Sequence, residues 1–285
     1  MSAAGFARIS TRKGAAGFSL VELMVALILG LLVVGAAFAI FHSNQTTYRS
    51  NVGLNRIQEN ARIVFELMSR DIRAAGGSAC SNMARPDTEH TNTAQENAFL
   101  NTPVSSPASA TEFTVVSGDD TAYRITNSTT TSITLDAAQI ADARDAFSVN
   151  DQLVLCNANK LYVVRATSVN ATTVGFTPAT PIAMTADPLA PPSTVMLARY
   201  RNTRWFVADN SLFVSRSGGP REEVAQGVQN LGVTYLEDGA YTPTPTNWTN
   251  VLAVRIDMTL TGEDIEGRAF ARNASNVVSL RSRPQ

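Results

Sequence analysis

The chain has 285 residues, 44% of them hydrophobic and 16% charged, with a formal net charge of −1. These values describe a folded protein with room for a sizeable core, and they exclude both a disordered polyelectrolyte and the basic footprint of a nucleic-acid binder. The two histidines, His42 and His90, and the two cysteines, Cys80 and Cys156, have no metal-ligand spacing. No zinc cage and no resident cofactor are expected.

Residues 1–17 contain Arg8, Arg12 and Lys13 and no acid. The apolar run Phe18 to Phe41 follows, about 36 Å long as a helix and enough to span a bilayer. Positive charge ahead of such a segment keeps that end cytoplasmic and sends the rest across. The C-terminal part is therefore expected outside the cytoplasm, where disulfides persist. Cys80 and Cys156 are then a candidate pair, with two separate buried thiols as the alternative. A secretory signal competes for the N-terminus, because Ala37-Phe38-Ala39 has the A-x-A form. Its apolar region would normally run only about 7 to 15 residues. A plain anchor fits the length but gives no use for Glu22, since a charge at a helix centre in lipid costs about 2.5–3.5 kcal/mol.

The stretch Ala16-Gly17-Phe18-Ser19-Leu20-Val21-Glu22 resembles the processing site of type IV prepilins and type II secretion pseudopilins. The resemblance implies that a membrane-embedded prepilin peptidase cuts between Gly17 and Phe18 and methylates the new N-terminal residue, Phe18. Glu22 then stands fifth in the mature chain. A new α-amino group, with a reference pKa of about 8, is largely charged at neutral pH. In this family the acid is thought to meet the N-terminal amine of a neighbouring subunit, and two charges that are costly alone become tolerable as a pair. Glu22 in the first turn is also favoured by the helix dipole, so a contact within one chain could coexist. Loss of the leader would take the net charge from −1 to −4.

Beyond the membrane run, Leu54, Ile57, Ala61, Val64, Met68 and Ile72 recur at three- and four-residue steps among charged residues. That spacing predicts an amphipathic continuation of the helix, stopped by Gly76-Gly77. Gly30, Gly35 and the polar stretch His42 to Thr47 leave two readings open, tolerated glycines or a weak point between the halves. Ser78 to Pro107 reads as a loop. From Glu112 the pattern turns to β-type runs: EFTVVS, YRITNS, SITLDA, DQLVLC, LYVVRATSV and VGFTP. A Pro-rich connection, Pro178 to Pro192, precedes VMLARYRN, TRWFVAD, SLFVSRS, LGVTYLED and VLAVRIDMTLTG. Asp209-Asn210 reads as a hairpin turn. Short helical intervals are expected at Asp136 to Phe147 and Arg221 to Asn230. The expected fold class is α+β: a long N-terminal helix and a β-rich, largely antiparallel head. The expected division is a leader (1–17), a transmembrane and assembly helix (18–41), its amphipathic continuation (42–77) and the head (78–285).

The order RIQENARIVFELMSRDIRAAGG, a cysteine, DQLVLC, LFVSRSGGPREEVAQGVQNLGVTYLEDG, VLAVRIDMTL and the basic end SLRSRPQ resembles the PilW family of minor pilins. The region from about Ser78 to Ser148 matches only loosely. The resemblance implies that Cys80 and Cys156 bond. It also implies a subunit that initiates or caps a type IV pilus, anchored first in the inner membrane with a periplasmic head. Its implied partners are the prepilin peptidase, other minor pilins, the major pilin and the inner-membrane assembly platform.

An enzyme is not expected: no G-x-S-x-G, H-E-x-x-H or phosphate-cradling loop occurs. The carboxylate pairs Asp119-Asp120, Glu222-Glu223 and Glu263-Asp264 fall in what read as loops, where solvated surface is the default and calcium the lesser alternative. Two other readings stand beside the minor pilin. One is a type II secretion pseudopilin with a large β head, and the other is an adhesin or binding module displayed at a pilus tip.

Overall fold

The computed structural model describes residues 19–80, 84–86, 94–106, 111–177, 195–263 and 269–280. The leader, Gly17, Phe18, His90, Asp264 and the Pro178 to Pro192 connection lie outside the described residues. The architecture is α+β, a long N-terminal helix followed by an antiparallel β-rich head. The chain divides into two compact units, Met1–Val52 and Gly53–Gln285.

Helix α1 runs unbroken from Leu20 to Ala74, 55 residues. Neither glycine interrupts it, and the polar stretch keeps its helical hydrogen bonding. There, Thr46 Oγ1 donates to the His42 carbonyl at 2.9 Å and Thr47 Oγ1 to Ser43 at 3.1 Å. Such back-bonds to the preceding turn weaken a helix slightly, yet the helix continues through this stretch. In the second unit the expected stripe is buried from Ile57 onward: Ile57, Ala61, Val64, Met68 and Ile72 lie in one core cluster, Ala75 joins them, and Leu54 is half-buried. The helix ends at the predicted glycines. Gly76 takes a left-handed φ of 65° and donates its N–H to the Val116 carbonyl at 2.8 Å. Gly76 thus ends the helix where an L side chain would be strained.

Among the described residues ten strands form the larger sheet: β1 (Arg85–Pro86), β2 (Val104–Ser105), β3 (Glu112–Ser128), β4 (Ser132–Leu135), β5 (Gln152–Cys156), β6 (Lys160–Val169), β7 (Thr173–Thr177), β8 (Met196–Ala208), β9 (Ser211–Arg216) and β10 (Glu222–Gln226). The pairings β8–β5–β6–β7–β4–β3 return to β8, so six antiparallel strands close into a barrel. Every barrel strand supplies its interior: Ile125, Ile133, Leu155, Tyr162, Val174 and Leu197 belong to one buried cluster. A barrel this narrow is filled by side chains rather than holding a channel. Closure also removes the edges that an open sheet of these six strands would expose.

The smaller sheet has the order β12 (Ala240–Thr242), β11 (Val228–Glu237), β13 (Val251–Glu263) and β14 (Ala269–Ser279). Its inward residues Leu231, Val233, Tyr235, Val254, Ile256, Met258 and Val278 share a core with the α1 stripe. Phe113, Trp205, Leu212 and Val214 of the larger sheet join the same core. The helix is therefore held by both sheets at once.

Several segments differ from the sequence reading. EFTVVS and YRITNS are one 17-residue strand, β3, bent by a register shift between Gly118 and Ala122. The bend lets Gly118 donate to the Gly77 carbonyl at 2.9 Å, and a Cβ there would meet that oxygen at 3.4 Å. VMLARYRN and TRWFVAD are likewise one strand, β8. Arg221 to Asn230 is not helical: it holds β10 and the start of β11. Val224, Val228 and Leu231 mimic helical spacing, but Gly227 sits at φ 76° between the strands, where a Cβ would lie 2.5 Å from the Thr261 carbonyl. The Asp136 to Phe147 interval reduces to turns and one 3₁₀ turn, Ala143–Asp145. Ser78 to Pro107 is more than a loop, because helix α2 (Ala94–Asn101) lies within it. Asp209 and Asn210, with φ values of 51° and 59°, make the predicted hairpin turn between β8 and β9.

Candidate functional site

From Leu20 to Phe41 the first unit presents an apolar helix whose described side chains are all exposed. Its large side chains are exposed, from 76% at Leu20 to 64% at Phe41. The best 18-residue window has a mean hydropathy of 2.9, and among the described residues this is the one helix long and apolar enough to cross a membrane. A contiguous apolar surface of this length marks a lipid or protein contact rather than a water-facing helix.

Glu22 is the only acid in this stretch and stands in the first turn of α1. It lies among Ser19, Val21, Val25, Ala26 and Leu29. Among the described residues it has no hydrogen-bond or ion-pair partner. The first four N–H groups of a helix lack intrahelical acceptors, and the local partial positive charge favours an acid there. That effect is modest beside the cost of an ion in hydrocarbon, which a carboxyl group escapes by protonation or by pairing with a cation. The Gly17–Phe18 bond lies outside the described residues, just ahead of Ser19, whose carbonyl accepts the N–H of Leu23 at 3.1 Å.

In the head, Cys80 and Cys156 are joined as a disulfide with Cα atoms 5.9 Å apart. The bond fastens the segment leaving α1 to β5, a barrel strand. Around it Ala84, Phe99, Val154, Leu161, Val163 and Tyr200 form a third buried cluster. Glu96 of α2 is 1% exposed and accepts the backbone N–H of Val163 at 3.0 Å, which docks the short helix on β6. No apolar periodicity in AQENAFLN announced this helix; its fastening is a long-range polar contact.

A second buried device was not legible in the sequence. Asp71 on α1 accepts Arg201 Nη2 at 2.6 Å and Trp205 Nε1 at 3.0 Å, both from β8. Asp71 and Arg201 side chains are 9% and 17% exposed, so this pair sits in the head rather than on its surface. Asp119 and Asp120 stand at the bend of β3, not in a loop. Asp120 Oδ2 lies 2.5 Å from Arg70 and 3.6 Å from Arg201, and Asp119 Oδ1 lies 3.8 Å from Arg201. Both carboxylates thus face arginines. Glu222 and Glu223 also belong to a strand, β10, where Glu222 pairs with Arg216 at 2.8 Å and Glu223 accepts Ser211 Oγ at 2.9 Å. Among the described residues no group of three or more His, Cys, Asp or Glu could hold a metal ion.

The carboxylates with shifted acidity close turns. Hydrogen bonds from the Arg144 side chain and backbone hold Asp142 at about 2. Asp136 is lowered by the Ala138 N–H and by Arg124, and Glu237 by the Asn247 and Thr246 N–H groups. Burial pushes the Tyr200 hydroxyl up to about 12. Each of these shifts follows from local turn closure or burial, and the groups do not converge on one cleft.

Residues 12–38 match the family model described as the prokaryotic N-terminal methylation motif. The chain therefore carries a type IV pilin-like motif, spanning Gly17, Phe18 and Glu22. No curated protein and no solved structure matches the chain.

Proposed function

We propose that this chain is a minor pilin, cut after Gly17, methylated on Phe18, and built into a type IV pilus as an initiating or capping subunit. One observation carries the reading: the apolar helix that bears the methylation motif is exposed along its length and holds a lone acid in its first turn. Such a surface needs cover, first from lipid and then from the apolar helices of like subunits. In that bundle Glu22 meets the methylated amine of a neighbouring Phe18, and each charge removes the cost of burying the other. The prepilin peptidase makes that amine, and other minor pilins, the major pilin and the inner-membrane platform supply the surrounding contacts. A head that carries both a barrel and a second sheet is bulky to repeat along a fibre, which favours the tip.

Mass spectrometry of the N-terminal peptide from the membrane fraction is expected to find N-methylated Phe18 as the first residue. An intact Met1, or a chain starting at Ile40, would sink the reading. Glu22→Ala is expected to leave membrane insertion unchanged. Loss of a pairing worth about 3 kcal/mol should lower incorporation into sheared pili at least about tenfold. Incorporation equal to that of the parent chain would remove the pairing role.

A further inference from the structure

The free edges of the two sheets are protected unequally. Strand β10 carries Glu222 and Glu223 and a register shift, and β2 and β12 have two and three residues. Strand β14 has eleven residues, and its pairing with β13 runs from Ala269 to Ser279 without a shift. It contains no proline and a single charge, Arg272. Long, regular, nearly neutral edges are what folded proteins normally avoid, because they invite another strand to add.

The register identifies which groups are on offer. Leu280 N–H donates to the Leu252 carbonyl at 3.0 Å, so the even-numbered residues of β14 aim their backbone groups at β13. Ala271, Asn273, Ser275, Val277 and Ser279 then direct their N–H and C=O groups away from the sheet. All five are exposed, and among the described residues none of these outward backbone groups has a partner. Two of their side chains are held back on the sheet face: Asn273 Oδ1 accepts Thr259 Oγ1 at 3.1 Å and Ser275 Oγ accepts Arg255 Nε at 3.3 Å.

We propose that a second copy of this chain pairs with β14 edge to edge, antiparallel, about a two-fold axis at Ser275. The sequence of the edge fits its own reverse. Ala271 falls opposite Ser279, Asn273 opposite Val277, and Ser275 opposite itself, so none of these pairs carries a charge. Arg272 then faces Val278 of the second copy rather than another arginine. A self-complementary patch of this kind closes on two copies and does not propagate. The pairing does not rest on the pilin reading, since it uses only the head.

Cysteine cross-linking of the detergent-solubilised full chain tests it. The parent has no free thiol, so Ser275→Cys introduces a unique one. Mild oxidation is expected to give a disulfide-linked dimer at a yield about tenfold above Ser148→Cys, an exposed control, because pairing raises the local thiol concentration. Adding Val277→Pro removes one outward N–H and blocks strand approach while leaving the β13 ladder intact. It should return the yield to the control level with unchanged thermal unfolding. Equal yields for Ser275→Cys and Ser148→Cys, cross-linking only to a different polypeptide, or no effect of the proline would each overturn self-pairing. N-terminal processing is read separately by mass spectrometry, so the two readings fail independently.

Discussion

Replacing Cys80 and Cys156 together by alanine is expected to lower the stability of the head by about 4 kcal/mol, the chain-entropy value for a loop of this size. The bond closes a loop across a sequence separation of 76 residues, which holds β3, β4 and the start of the barrel. Its loss gives the unfolded chain more freedom and also removes the fully buried Cys156 from the third core cluster. For a head of this length the midpoint of thermal unfolding should fall by on the order of 10 °C. Calorimetry with and without reductant checks this, and the parent chain under reductant should approach the double variant. A fall of under about 1 kcal/mol would mean that Glu96 and the β1–β6 pairing hold the region without the bond.

Asp71→Ala is expected to cost about 3 kcal/mol, at the lower end for breaking a buried pair because Asp119 and Asp120 still face Arg201. The variant leaves the Arg201 guanidinium short of its nearest carboxylate and the Trp205 indole N–H without an acceptor. Asp71→Asn keeps an oxygen for one donor and should cost less. Adding Arg201→Met to Asp71→Ala should recover part of the loss, since the residual buried charge is then gone. Denaturant unfolding followed by the fluorescence of Trp205 and Trp248, which share one core, reads both steps. Additive losses in the double variant would show that the two residues act independently, and a loss under about 0.5 kcal/mol for Asp71→Ala would assign the helix–sheet docking to apolar packing alone.

The parts legible in the sequence were those written in local pattern. The α1 stripe from Ile57 to Ile72, the Gly76 stop, the Asp209-Asn210 turn and the apolar run before His42 each depend on neighbours within a few residues. Pattern failed where two segments satisfied it equally well. Val224, Val228 and Leu231 fit a helix by spacing, but the pairing of β10 with β9 and of β11 with β13, on either side of the left-handed Gly227, excludes one. EFTVVS and YRITNS read as two strands because Gly118-Asp119-Asp120 resembles a turn. The bend is instead a docking point for the end of α1, and its acids face Arg70 and Arg201. Helix α2 was missed because Glu96, the residue that fastens it, bonds to a strand far along the chain.

For the candidate site the division is similar. The methylation motif, the apolar length and the anomalous acid at Glu22 are properties of consecutive residues, and the sequence alone carries them. It also determined the α+β class, because helical and alternating periodicities occupy different parts of the chain. The closure of six strands on themselves, the reach of Asp71 to Arg201 and Trp205, and the unpaired outer side of β14 among the described residues come only from the folded arrangement. The physical reason is range. Helix and strand preferences are set by neighbours along the chain, whereas closure, buried charge pairing and edge position depend on which distant segments share backbone hydrogen bonds.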